Sequence, residues 1–161
     1  MKIIVIALAV IVALIAIVLV AGAMLPRQHS ASRSVVLKHD RQSVYGVVRD
    51  FAKHPQWRKD VTQVEILAPA QFREHSKFGV VTYAIDLDEP AKKLVTRIAD
   101  QNLPYGGSWT YDFEDAPGGT KLTITENGEI KNVAFRFMAR YIFGYTSTME
   151  AYLKALEQRM G

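Results

Sequence analysis

The chain contains no cysteine among its 161 residues. This absence excludes a disulfide framework, a thiolate metal site and a cysteine nucleophile. No histidine pair has metal-ligand spacing, and neither a His-Glu-x-x-His nor a Gly-x-Ser-x-Gly motif occurs. The sequence therefore predicts neither a metal site nor a serine hydrolase, and no cofactor is expected. The four histidines are interpreted as scattered surface residues: His29, His39, His54 and His75.

The chain also lacks a strong excess of either charge. Its formal net charge is +4, and Lys2 is the one charged side chain in the first 25 residues, so the remainder carries about +3. Spread through the chain, this charge does not indicate a nucleic-acid partner, although it is compatible with anionic lipid headgroups nearby.

What is present at the N-terminus is a run of 23 residues, from Ile3 to Leu25, without a charged or hydrogen-bonding side chain. At about 1.5 Å per residue, a helix of this length crosses a hydrocarbon core of roughly 30 Å. A cleaved signal peptide is the alternative, with Ala21-Gly22-Ala23 as its small-residue site. The run exceeds the usual apolar region of about 7–15 residues, which favours a retained anchor.

We therefore predict three parts: a transmembrane anchor with its flank at 1–26, a short polar tether at 27–33, and one domain at 34–161. The protein is expected to be single-pass, with the lipid bilayer as a partner. Lys2 on one side and Arg27 on the other nearly balance the positive-inside rule. The very short N-terminal tail favours an extracytoplasmic domain.

Alternating and helical patterns divide the domain into a first strand, a short helix, a group of strands and a C-terminal helix. Asp40 is a candidate N-cap for the short helix, which is predicted to end near Phe51. Strands are predicted over 34–38, 61–67, 72–78, 79–87, 93–99, 108–114 and 121–130, with a loop at 102–107. Grouped strands with a terminal helix indicate an α+β fold, with antiparallel strands.

One strand face is strongly aromatic. Trp109, Tyr111 and Phe113 alternate with polar residues, so they are expected to line the core or a cavity. No Arg or Lys interleaves with them, which argues against base stacking on a nucleic acid. In the following strand Glu126 shares the face of Leu122 and Ile124. A carboxylate on that inward face could orient a ligand or act as a general acid/base, unless a bulge returns it to solvent.

From Val133 the period changes to three and four residues, which predicts one C-terminal helix of about 25 residues. Gly144 is the position at which this helix would kink. Its apolar face would meet the aromatic strand face, because neither can remain in water without a large exposed patch.

The stretch from Val44 to Trp57 is the most distinctive: a helix, then Asp50, a short spacer, Pro55 and the tryptophan. Together with the aromatic strand and the amphipathic C-terminal helix, it resembles the START-like helix-grip superfamily (SRPBCC), which includes polyketide cyclase/dehydrase-like and lipid-transport proteins. A departure is His39-Asp40, where many members have Ala-Pro. The resemblance implies a curved antiparallel sheet wrapped around a long C-terminal helix, usually with an apolar cavity between them.

The resemblance leaves three functions open. The first is binding or transport of a hydrophobic small molecule or lipid, drawn from the bilayer. The second is a cyclase- or dehydrase-like enzyme that uses Glu126 and tyrosine hydroxyls. The third is a non-catalytic interaction module with a filled core. Under the first, no residue is catalytic, and the expected cavity residues are Tyr83, Trp109, Tyr111, Phe113, Glu126, Met138, Tyr141 and Tyr145.

Overall fold

The computed structural model describes residues 2–161 and has an α+β architecture. Its helices are α1 (Lys2–Met24), α2 (Arg41–Arg49), α3 (Val133–Met138) and α4 (Ser147–Met160). A 3-10 segment (Phe51–Gln56) follows α2, and a π-helical segment (Ala139–Phe143) follows α3. The strands are β1 (Gln28–Leu37), β2 (Val61–Ala68), β3 (Gln71–Ser76), β4 (Gly79–Glu89), β5 (Lys93–Ile98), β6 (Tyr105–Ala116) and β7 (Gly119–Ile130).

The seven strands form one antiparallel sheet in the order β1-β7-β6-β5-β4-β3-β2. Strand alternation gives the sheet an apolar inner face, which α2 and α4 cover. The buried residues of α4 recur every three or four positions, as Met149, Tyr152, Leu153 and Leu156. This is a helix-grip fold, as expected from the sequence.

The local helix signals act as predicted at α2. The carboxylate of Asp40 accepts a hydrogen bond from the backbone N–H of Ser43 at 3.0 Å and so caps the helix. Val44 and Val48 are completely buried beneath the helix, and Phe51 extends the same apolar contact. Their spacing fixes how the first half of the domain packs on the sheet.

Two segments expected to be irregular are strands. β1 begins at Gln28, not at Ser34, because Gln28 to Leu37 pair continuously with β7. Most of the predicted tether is therefore part of the sheet. β6 begins at Tyr105, inside the predicted loop at 102–107. At Gly107, with φ +130°, a Cβ would lie 2.3 Å from the carbonyl oxygen of Asn127, so glycine permits this close pairing.

The C-terminal helix is broken where a single continuous helix was expected. Gly144 has φ 76° and ψ 150°, which ends the helical path between the π-helical segment and α4. The two halves have different partners: α4 covers the sheet, whereas α3 packs against α1. The prediction was thus right about the position of the irregularity and wrong about one helix covering the sheet.

Helix α1 is long and apolar enough to cross a membrane, and its most apolar part is not buried against the domain. It contacts the domain at its C-terminal end, where Gly22 is buried. A Cβ at Gly22 would lie 2.2 Å from the carbonyl oxygen of Val133, so only glycine allows this approach between α1 and α3. The sheet therefore follows almost directly on the apolar helix.

Candidate ligand-binding site

A carboxylate lies on the inner face of the sheet, near the end at which β1 follows α1. Glu126 of β7 pairs in register with Trp109 of β6 and Ala31 of β1. The indole Nε1–H of Trp109 donates to Glu126 Oε2 at 2.7 Å, and His29 Nε2 lies 3.0 Å from Oε1. The Glu126 side chain retains 20% of its accessible surface. The Glu126 carboxylate is therefore held in place by two hydrogen-bond partners and remains partly accessible to a ligand.

The ring of Tyr145 stacks on His29, with the ring centres 4.1 Å apart and the planes 15° from parallel. Tyr145 belongs to the short connection between Gly144 and α4. Gly128 makes room for the imidazole, because a Cβ there would lie 2.3 Å from the His29 ring. A stacked His29–Tyr145 pair thus stands beside the carboxylate of Glu126.

A second polar group lies deeper on the same side of the sheet. The Arg58 guanidinium donates to both carboxylate oxygens of Glu74, at 2.7 and 3.1 Å, and to Asp60 at 2.8 Å. Burial raises the pKa of Glu74, and the facing Arg58 opposes that rise. Arg58 also stacks over the Tyr152 ring at 5.3 Å. Arg58, Glu74 and Asp60 thus form an ionic cluster that is largely buried.

Aromatic rings connect the two polar groups. Tyr152 contacts Trp109, Tyr111 and Trp57 at ring-centre distances of 5.8, 5.9 and 5.3 Å. These rings fill the interior between β6 and α4 at this point, where the resemblance implied a cavity. Within residues 2–161, the Tyr152 hydroxyl and the Trp57 Nε1 are buried without a hydrogen-bond partner. Burial raises the pKa of Tyr111 and of Tyr152, so both hydroxyls stay protonated.

The eight residues expected to line a cavity fall into four groups. Tyr83, Trp109, Tyr111 and Glu126 lie on the inner face, where Tyr83 stacks on Phe72. Phe113 belongs to the solid core. Tyr145 stands at the edge beside His29. Met138 lies outside because α3 packs against α1, and Tyr141, in the π-helical segment that follows α3, is 61% exposed.

Sequence reasoning missed several residues of these clusters. Glu74 shares a strand face with buried Phe72, just as Glu126 shares a face with buried Ile124. The same strand pattern could therefore have identified Glu74 as an inward-facing carboxylate. His29 lay in the predicted tether, where no pattern marked it. His54 was expected on the surface but is 2% exposed. Its ring is held by the Val48 carbonyl at 3.0 Å.

A separate concavity of about 560 Å³ lies where β1, β6 and β7 meet. It is lined by Gln28, His29, Ser30, Gly107, Asn127, Gly128 and Glu129. Four of these side chains, those of Gln28, Ser30, Asn127 and Glu129, alternate with the inward residues and so belong to the outer face. This open, polar depression does not suit an apolar ligand.

The antiparallel sheet and the C-terminal helix that covers it define a protein of the helix-grip fold class. Residues 28–161 match the family described as polyketide cyclase / dehydrase and lipid transport, and the chain belongs to that family. No curated protein matches the sequence significantly.

Solved structures show the same fold at low sequence identity. A START superfamily protein from Mycobacterium smegmatis is 22% identical, with a TM-score of 0.68 over 82% of this chain and 97% of that one. Zhui aromatase/cyclase from a Streptomyces species is 18% identical, with a TM-score of 0.68 over 83% and 93%. A conserved protein from Geobacillus kaustophilus is 12% identical, with a TM-score of 0.70 over 82% and 95%.

Proposed function

We propose that this protein is tethered to a membrane and binds an apolar small molecule or lipid on the inner face of its sheet. The molecule would lie beside Trp109, with its polar end at Glu126. The observation that carries the proposal is the Glu126 carboxylate, which accepts hydrogen bonds from Trp109 and His29 beside the aromatic side chains of the inner face. Family membership supports the same class of ligand.

The carboxylate of Glu126 restricts which polar end group a ligand can place beside it. A carboxylate accepts hydrogen bonds and repels other anions. Glu126 would therefore favour an apolar molecule that ends in a hydroxyl or an amine over one that ends in a carboxylate. The rest of the molecule would gain its affinity from contact with aromatic rings.

The position of the site suits a ligand that comes from the bilayer. Gln28 follows Met24, the last residue of α1, by four residues, so the start of β1 lies within about 14 Å of the end of the apolar helix. His29 and Glu126 are close to that end of the sheet. A molecule leaving the bilayer would therefore have a short path to Glu126, whose side chain keeps part of its accessible surface.

The filled interior favours a second candidate, an interaction module without a ligand. The ring contacts of Tyr152 with Trp109, Tyr111 and Trp57 are the observation behind it. A cyclase- or dehydrase-like reaction would require Glu126 to converge with a tyrosine hydroxyl. The side-chain donors that the described residues give this carboxylate are His29 and Trp109.

Binding of fluorescent probes to the full-length protein in detergent micelles tests the proposal. A long-chain alcohol carrying a fluorophore should bind saturably, near one per chain, and more tightly than the matching fatty acid. Glu126→Gln should weaken binding of the alcohol by about tenfold or more, because a hydrogen bond to a charged group is worth about 1.5–3 kcal/mol. Glu114→Gln changes an exposed carboxylate on the outer face and should have no effect.

Absence of saturable binding by either probe would refute the ligand proposal and favour the interaction module. Equal affinity of the alcohol for the wild-type protein and Glu126→Gln would show that the carboxylate does not anchor the ligand.

A further inference from the structure

We propose that the segment from Val133 to Phe143, comprising α3 and the π-helical turn, lies on the bilayer surface beside α1 as a second membrane contact. Four large apolar side chains of this short segment are exposed: Phe135 at 39%, Tyr141 at 61%, Ile142 at 59% and Phe143 at 54%. This inference rests on the proposed membrane insertion of α1.

Phe135, the half-buried Met138 and Ile142 form an apolar stripe along one side of the helical segment, because they follow one another at three- and four-residue steps. Tyr141 and Phe143 adjoin this stripe. Aromatic residues of this kind are enriched at the membrane–water boundary. Arg140 is also exposed, and its long side chain can reach lipid phosphates while its stem stays in apolar surroundings.

The opposite side of the segment is joined to the C-terminal end of α1. The Arg136 guanidinium, 6% exposed, donates to the carbonyl oxygen of Leu25 at 2.8 Å. It therefore satisfies one of the carbonyl groups that the end of α1 leaves free. Gly22 lies directly against the Val133 carbonyl. These two contacts hold the segment next to the point where the apolar helix ends.

Continuity with α1 selects the bilayer as the occupant of this surface. The exposed face of the segment continues the apolar surface of α1, which itself is long enough to span a membrane. Once α1 is inserted, the adjoining stripe lies at headgroup depth, where a partly apolar helix with a basic flank is stable. With two contacts, the domain would have one orientation on the membrane.

The absence of cysteine from the chain permits a direct test with single-cysteine variants carrying an environment-sensitive fluorophore. The full-length variants Ile142→Cys, Ile66→Cys and Leu14→Cys are reconstituted into phosphatidylcholine vesicles that contain lipids brominated at shallow or deep acyl positions. Ile66 is the matched control, because it is 57% exposed and lies on β2, at the sheet edge farthest from β1. Leu14, in the middle of α1, reports insertion of the anchor.

The inference predicts at least twofold stronger quenching at position 142 than at position 66 with shallow-brominated lipids, and quenching at position 14 with deep-brominated lipids. Quenching at 14 with equal, weak quenching at 142 and 66 would overturn the second contact while leaving the anchor intact. No quenching at 14 would refute membrane insertion itself, and the second contact with it. Energy transfer between labelled copies at 142 without lipid quenching would show that a second copy covers the surface.

Discussion

His54 should make the stability of the domain depend on pH in a predictable direction. The residue is buried, and it is held between the Val48 carbonyl, 3.0 Å from Nε2, and Arg58, whose Nη1 is 3.4 Å from Nδ1. Burial, and then the charge of Arg58, lowers its pKa from 6.5 to about 4. The imidazole is thus neutral in the folded protein, with Nε2–H donating and Nδ1 accepting.

The free energy of unfolding falls as the pH falls, because the unfolded state binds a proton at His54 more readily than the folded state. The unfolded chain protonates His54 near pH 6.5, whereas the folded domain does so near pH 4, so acid favours unfolding. The stabilisation is complete above the unfolded pKa and is lost as the pH falls towards the folded value. At about 1.4 kcal/mol per pKa unit, the total loss is roughly 3 kcal/mol, of which about 2 kcal/mol is lost between about pH 7.5 and about pH 5.

Chemical unfolding of the full-length protein in micelles, followed by near-ultraviolet circular dichroism at several pH values, measures this loss. His54→Gln retains a donor for the Val48 carbonyl but does not titrate, so its free energy of unfolding should decline by about 2 kcal/mol less over the same interval. Equal declines in wild type and His54→Gln would refute the reasoning.

Three further variants test the packing, each by the same unfolding measurement. Gly22→Ala should lower the free energy of unfolding, because the new Cβ would meet a backbone carbonyl of α3. Ala23→Leu, at an exposed position, should not lower it, and equal effects of the two variants would argue against the close contact. Tyr152→Phe should change stability by less than about 1 kcal/mol, because the hydroxyl has no partner, and a loss above about 2 kcal/mol would reveal one. Arg58→Met should cost about 3–5 kcal/mol, because it strands the buried Glu74 carboxylate, and a neutral result would contradict the ionic cluster.

The sequence predicted the order of elements well because their signals are local. The cap at Asp40 and the alternation of Trp109, Tyr111 and Phe113 each depend on neighbours within a few residues. The apolar run that forms α1 is equally local. Such features are set by helix and strand periodicity, whatever the rest of the chain does.

The errors concern contacts between distant parts of the chain. Residues 28–33 have the polar composition of a tether, and only pairing with β7 makes them a strand. The residues of α3 have the period of a core-facing helix, but their partner is α1, more than a hundred residues earlier. The same long-range pairing brings His29 to Glu126, so the site was predicted only in part.

The central claim is that an apolar molecule with a hydroxyl or amine occupies the inner face at Glu126. Native mass spectrometry of the full-length protein, gently released from membranes, tests this most directly. The account predicts one co-purifying molecule of this class per chain in the wild type and in Glu114→Gln, and a clear loss of it in Glu126→Gln. Wild-type protein that carries no such molecule, or carries it equally in Glu126→Gln, would contradict the account.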